Sequence, residues 1–112
     1  MKHNAPLNIL PMTATLAVAA QRFVTVTASG VTQAAAGNAV VGVSGSLDVR
    51  AGDVVDIVTA GFAPVVYGEA IVRGDRVTAG ADGKAVKSAT GGYVALEAGA
   101  ADFVGSVMPV LA

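Results

Sequence analysis

From Arg22 onward, short Val-rich runs alternate with glycine-centred steps: Ser-Gly, Gly-Asn, Ala-Gly-Asp, Arg-Gly-Asp, Asp-Gly and Gly-Gly. No other feature limits the fold as much. The interruptions come too often for a long helix, and their spacing matches the strand and turn rhythm of β-sandwiches and small barrels. "TQAAAGNA" and "ALEAGAAD" could give a turn or two of helix at most, because glycine interrupts each.

Within the runs, side chains alternate. Phe23, Thr25 and Thr27 fall on one face and Val24 and Val26 on the other; Asp53, Val55 and Ile57 likewise oppose Val54, Asp56 and Val58. This is the period of strands with a buried face, and the second run is apolar enough for both faces to be covered. Composition agrees: 54% of the 112 residues are hydrophobic, mostly Val and Ala, and 14 Gly permit close backbone approach.

The turns also recur. "RFVTVTASGVTQA" from Arg22 and "DRVTAGADGKAVKSA" from Asp75 both read as strand, tight turn, strand. In the second, Asp82-Gly83 is a strong hairpin signal, since glycine takes positive φ freely. A strand opener appears as Ala51-Gly52-Asp53-Val54-Val55, as Arg73-Gly74-Asp75-Arg76-Val77, and more loosely as Ala100-Ala101-Asp102-Phe103-Val104. The chain builds one small β unit about twice. Pro109 predicts that the last strand is an edge or leaves the sheet.

The expected fold class is all-β: a single small barrel or sandwich-like domain over residues 21–112, preceded by an extended N-terminal arm over residues 1–20. A chain of this size has room for one modest core. Pro6 and Pro11 hold the arm extended, and Leu7, Ile9, Leu10, Met12 and Leu16 are its candidate contacts with a partner. The same residues could instead complete the domain's own core as a first strand. Met1-Lys2-His3, an apolar stretch and Ala17-Val18-Ala19 also imitate a secretory signal peptide, although Pro11, Thr13 and Thr15 break its apolar centre.

Charged residues make up 13% of the chain and the net charge is −1. So weak an electrostatic coat favours association through apolar surface. It gives no basic stripe for nucleic acid or an anionic membrane, and no segment is long and unbroken enough to span a bilayer as a helix. With no cysteine and only His3 as histidine, neither a thiolate nor a multi-histidine metal site can form within one chain.

Nothing in the sequence assembles catalysis. Asp53, Asp75, Asp82 and Asp102 stand in or beside turns, where Asp bonds the backbone. Asp56 and Glu69 lie in apolar surroundings, where a carboxylate is expected either to pair with Arg50, Arg73 or Arg76 or to be solvated at a strand edge. The hydroxyls of Thr25, Thr27, Thr59, Thr78 and Ser88 have no activating histidine nearby. The Arg73-Gly74-Asp75 triplet is explained by its opener role rather than by adhesion. No catalytic, cofactor-binding or metal residue is expected, and no cofactor or small-molecule substrate.

Four stretches carry a family resemblance: the arm "NAPLNILPMTATLAVAA", "QRFVTVTASGVTQAAAGNAVVGVS", "AGDVVDIVTAGFAPVVYGEAIVRGDRVTAGADGKAVKSA" and "ALEAGAADFVGSVMPV". With its Ala-Gly-Asp openers and Asp-Gly-Lys-Ala-Val hairpin, the chain resembles the small cement or decoration proteins that coat the heads of tailed bacteriophages. The resemblance implies a β-tulip-like fold and a non-enzymatic virion protein, made in the host bacterial cytoplasm and bound to the outer capsid surface. It also implies the major capsid protein as partner, and self-association as a homotrimer that clamps capsid subunits. Two other readings are a secreted or surface β-rich adhesin processed after Ala19 or Ala20, and a lipoyl- or biotinyl-like carrier barrel. The carrier would use a lysine at the "ADGKAVKS" hairpin, where Lys84 follows the turn rather than standing at its apex.

Overall fold

The structure, a computed structural model, describes residues 8–60 and 62–110. Strands β1 (Asn8–Thr13), β2 (Phe23–Thr27), β3 (Gly30–Gln33), β4 (Gly42–Ser44) and β5 (Val54–Ala60) form an antiparallel sheet in the order β1-β5-β4-β2-β3. A second antiparallel sheet follows, with β6 (Ala63–Val66), β7 (Arg76–Ala79), β8 (Ala85–Lys87), β9 (Tyr93–Ala95) and β10 (Val104–Pro109) in the order β6-β10-β9-β7-β8. The protein is all-β. Among the described residues there is no α-helix, and glycine-broken "TQAAAGNA" and "ALEAGAAD" contribute at most strand ends and turns.

The second sheet repeats the connectivity of the first strand for strand. Val24 pairs with Gln33 and Gly42, while Val77 pairs with Lys87 and Tyr93. Pro11 in β1 faces Asp56, and Pro64 in β6 faces Ser106. Proline donates nothing to a ladder, and both prolines fall on strands that end their sheet, as that chemistry requires. After each first strand the chain bridges in parallel to the third, Ala14 to Val31 and Tyr67 to Ala85, which brings the two ends of each sheet together. The weak sequence repeat is therefore a repeat of the whole five-stranded unit.

Turn chemistry sets the registers. Asp82 (φ 58°) and Gly83 (φ 70°) both take left-handed backbone in the short 3-10 turn that joins β7 to β8, as Asp-Gly foretells. Of the three strand openers, those at Gly52 and Asp102 occupy equivalent places: Gly52 N donates to Ala14 O (2.8 Å) and Asp102 N to Tyr67 O (2.7 Å), both with positive φ. The opener at Gly74 precedes β7 and corresponds to Gln21, which also has positive φ, before β2.

Two apolar clusters hold the units, where one core was expected. Ala14, Val18, Val24, Val31, Val55 and Ile57 form a cluster private to the first repeat. The second cluster is shared: Phe23, Ala34 and Val43 from the first repeat join Tyr67, Ile71, Val77, Tyr93, Val107 and others from the second. The β2 strand explains the difference, because Phe23 and Val24 are both fully buried, one in each cluster. In β5, where both faces looked apolar enough to be covered, Val54 and Asp56 are exposed. The last strand is not an edge: β10 lies between β6 and β9. Pro109 is accommodated because β6 pairing stops at Val107 while Pro109 faces only Tyr93 on β9.

Candidate functional site

The residues with chemical potential are mostly committed to structure. Asp75 Oδ2 accepts from Val72 N (3.0 Å), which places the Arg-Gly-Asp triplet in a turn. Glu69 accepts from the backbone N of Lys87 (2.7 Å), and Asp56 is exposed on β5. Arg76 Nε donates to Gly91 O (2.9 Å). Lys84 donates from Nζ to Asp102 Oδ1 at 2.9 Å, and this hydrogen bond and positive charge hold the Asp102 carboxyl below its usual pKa. The ammonium of Lys84 is thus tethered to a neighbouring turn, and the apex of its hairpin belongs to Asp82. Among the described residues, no three His, Cys, Asp or Glu side chains gather as a metal site.

Two tyrosines are buried for packing. Tyr67 is fully enclosed and donates its hydroxyl to Glu97 O (2.7 Å); burial raises its pKa, with the Glu97 charge adding to the effect. Tyr93 is raised by burial, and its ring lies 4.9 Å from that of Phe23, joining the repeats.

Of the five expected partner contacts, Leu7 lies outside the described residues. Ile9 and Leu10 belong to β1, opposite Val58 and Ile57 in the ladder with β5. Met12 is half-buried against the first repeat's private cluster. Leu16, in the bend that follows β1, remains 64% exposed. The segment from Asn8 to Thr13 is therefore a sheet strand, and Leu16 beyond it stays open.

Two grooves mark the surface of the described residues. One, of about 140 Å³, lies between the 45–49 loop and the start of β5, with exposed Leu47 and Val54 among its walls. The other, of about 250 Å³, is lined by Gly74, Asp75, Arg76, Lys87, Ser88 and Ala89 on the second repeat. Its counterpart on the first repeat is filled. There the Ala81–Gly83 turn packs so closely that a Cβ on Gly83 would lie 2.8 Å from Phe23 O and 2.9 Å from Gln33 Cγ. Arg22 Nη1 donates to Asp82 O (3.0 Å), and Val66 N donates to Gln21 O (2.9 Å). Sequence reasoning missed this contact, although the doubled hairpin was the signal that could have found it.

Together these features define an all-β module of two packed repeats whose distinctive surfaces are grooves, turns and exposed aliphatic side chains. Its fold is similar to that of a solved structure, the crystal structure of head fiber gp8.5 N base in bacteriophage phi29, with a TM-score of 0.76 and 23% sequence identity. The similarity covers 92% of this chain and 93% of that one, so both repeats take part. No family model matches the chain, and no curated protein matches it.

Proposed function

We propose that this chain is a non-enzymatic structural protein of a tailed-phage virion, bound to the outer surface of the head. The observation that carries this reading is the likeness in fold, across nearly the whole of both chains, to the base of a phage head fiber. The residues add their own support. Asp75, Glu69 and Glu97 accept from backbone N–H groups and Lys84 pairs with Asp102, while apolar side chains such as Leu16, Leu47 and Val54 face outward. An apolar, weakly charged surface suits burial in a large assembly.

In this reading the protein assembles as a homotrimer, meets the major capsid protein, and cements adjoining capsid subunits. A multivalent trimer on a repeating lattice needs only modest affinity at each contact. The N-terminal segment makes the capsid contact, through exposed Leu16. Deleting that segment would remove β1 from its sheet and unfold the first repeat, so the informative variant is Leu16→Asp.

Co-sedimentation with heads assembled without this chain tests the proposal. Pelleting at a fixed ratio to capsid protein is the expected result, and Leu16→Asp should weaken it while leaving thermal unfolding unchanged. Protein that stays in the supernatant at saturating concentration would overturn the capsid reading.

A further inference from the structure

The interface between the two repeats joins unlike faces. The first repeat offers the groove beside Gln21, Arg22, Phe23 and Gln33; the second offers the turn Ala81–Gly83. Repetition supplies one more copy of each partner. The ladder registers place Asp75, Arg76, Lys87 and Ser88 where the first repeat has Arg22, Phe23, Gln33 and Ala34. The match extends to the hydrogen bonds, with Ala34 N to Phe23 O and Ser88 N to Arg76 O both 2.9 Å. That second groove is the open one of about 250 Å³. The counterpart of the Ala81–Gly83 turn is Ala28-Ser29, closed by the Thr27–Gly30 pair, and it is exposed.

Apolar neighbours follow the same rule. Ala79, beside the seated turn, is 2% exposed in the shared cluster, while its counterpart Val26, beside the free turn, is 54% exposed. Val58, in the cross-strand row of Phe23 and Val43, packs on the shared cluster, while its counterpart Met108, in the cross-strand row of Arg76 and Val94, is 38% exposed. Each molecule therefore carries an unfilled groove on one repeat and an unseated turn on the other.

We propose that the occupant of the Gly74–Arg76 and Lys87–Ala89 groove is the Ala28-Ser29 turn of a second copy of this chain. Chemistry at the contact suits that occupant. Where Arg22 donates to the Asp82 carbonyl, the second groove has the Asp75 carboxylate, an acceptor, and the incoming turn has the Ser29 hydroxyl, a donor. Val26, exposed beside the free turn, loses its exposure in the contact. The contact is heterologous, so copies join head to tail, closing into a ring if the rotation allows and otherwise extending. This deepens the self-association in the proposed function by naming its two surfaces, but it rests on the repeat and not on the capsid.

The chain has no cysteine, so engineered thiols report without background. Ser29→Cys and Lys87→Cys, made in separate chains and mixed under mild oxidation without capsids, should give disulfide-linked dimers well above the yield of either variant alone. Cross-linking no greater in the mixture than in the separate variants would overturn the proposal. Ala89→Trp, which fills the open groove from an exposed position, should raise the dissociation constant of the oligomer about tenfold or more in sedimentation with an unchanged unfolding midpoint. An oligomer indifferent to Ala89→Trp would equally overturn it. Either failure would leave capsid binding to be judged by its own co-sedimentation, since no capsid enters these measurements.

Discussion

Where the first repeat has Ala14 the second has Tyr67, and where the first has Val55 the second has Gly105. Both pairs hold equivalent places: Ala14 and Tyr67 make the parallel bridges to the third strands, and Val55 and Gly105 face Met12 and Val65 in the ladders. Small faces large in one repeat, and large faces nothing in the other. A Cβ added to Gly105 would lie 2.3 Å from Tyr67 Cζ and Oη. One backbone thus accepts two cores when volume moves across facing positions, as close packing demands. The second arrangement brings a phenol inside, and its hydroxyl is satisfied by Glu97 O.

The comparison can be broken at that pair. Gly105→Val should push Tyr67 out of its slot and cost about 3 kcal/mol or more, read by urea unfolding. Adding Tyr67→Ala recreates the first repeat's pairing and should recover a large part of that loss. A double variant no more stable than Gly105→Val alone would show that the repeats are not interchangeable in packing.

Comparable in size is the effect at the joint. Phe23 is buried between the repeats against Tyr93, while its neighbour Val24 serves the first repeat's own cluster. Phe23→Ala should cost about 3–5 kcal/mol by denaturant unfolding. Val24→Ala, which removes less volume, should cost less.

The smallest expected effect distinguishes the two equivalent openers. Gly52 has positive φ at no steric cost, whereas Asp102 has it with a lysine partner. Because its pKa is lower folded than unfolded, Asp102 contributes stability that is fully present above the unfolded value and fades as pH falls through the folded one. Asn tolerates the same backbone without the charge. Asp102→Asn should therefore unfold slightly earlier than the natural protein at neutral pH, and the difference should vanish in acid. A difference that persists in acid would mean that the ion pair is not its source. The Asp102 side chain is 75% exposed, so solvent screening keeps the effect small.

Much of the fold was legible because its signals are local. Asp82-Gly83 announces its hairpin through positive φ, and alternation in Val54–Val58 marks a strand before any partner is known. The candidate site was less legible. Leu16 was named and stands exposed, but Ile9 and Leu10 belong to a ladder strand and Met12 packs inward, because an apolar segment at a chain end reads alike whether it covers its own core or a neighbour. The groove at Gly74–Arg76 and Lys87–Ala89 had no sequence signal of its own, since its walls come from two strands and are mostly polar.

By itself the sequence determined that this chain would be β structure with tight turns, made about twice over. Those properties follow from residue types and short-range spacing. Tertiary structure alone decided that Tyr67 lies over Gly105, that Phe23 and Val24 serve different clusters, and that one groove is filled while its twin stays open. Each depends on residues far apart in the chain competing for one volume, and no local pattern records which of them occupies it.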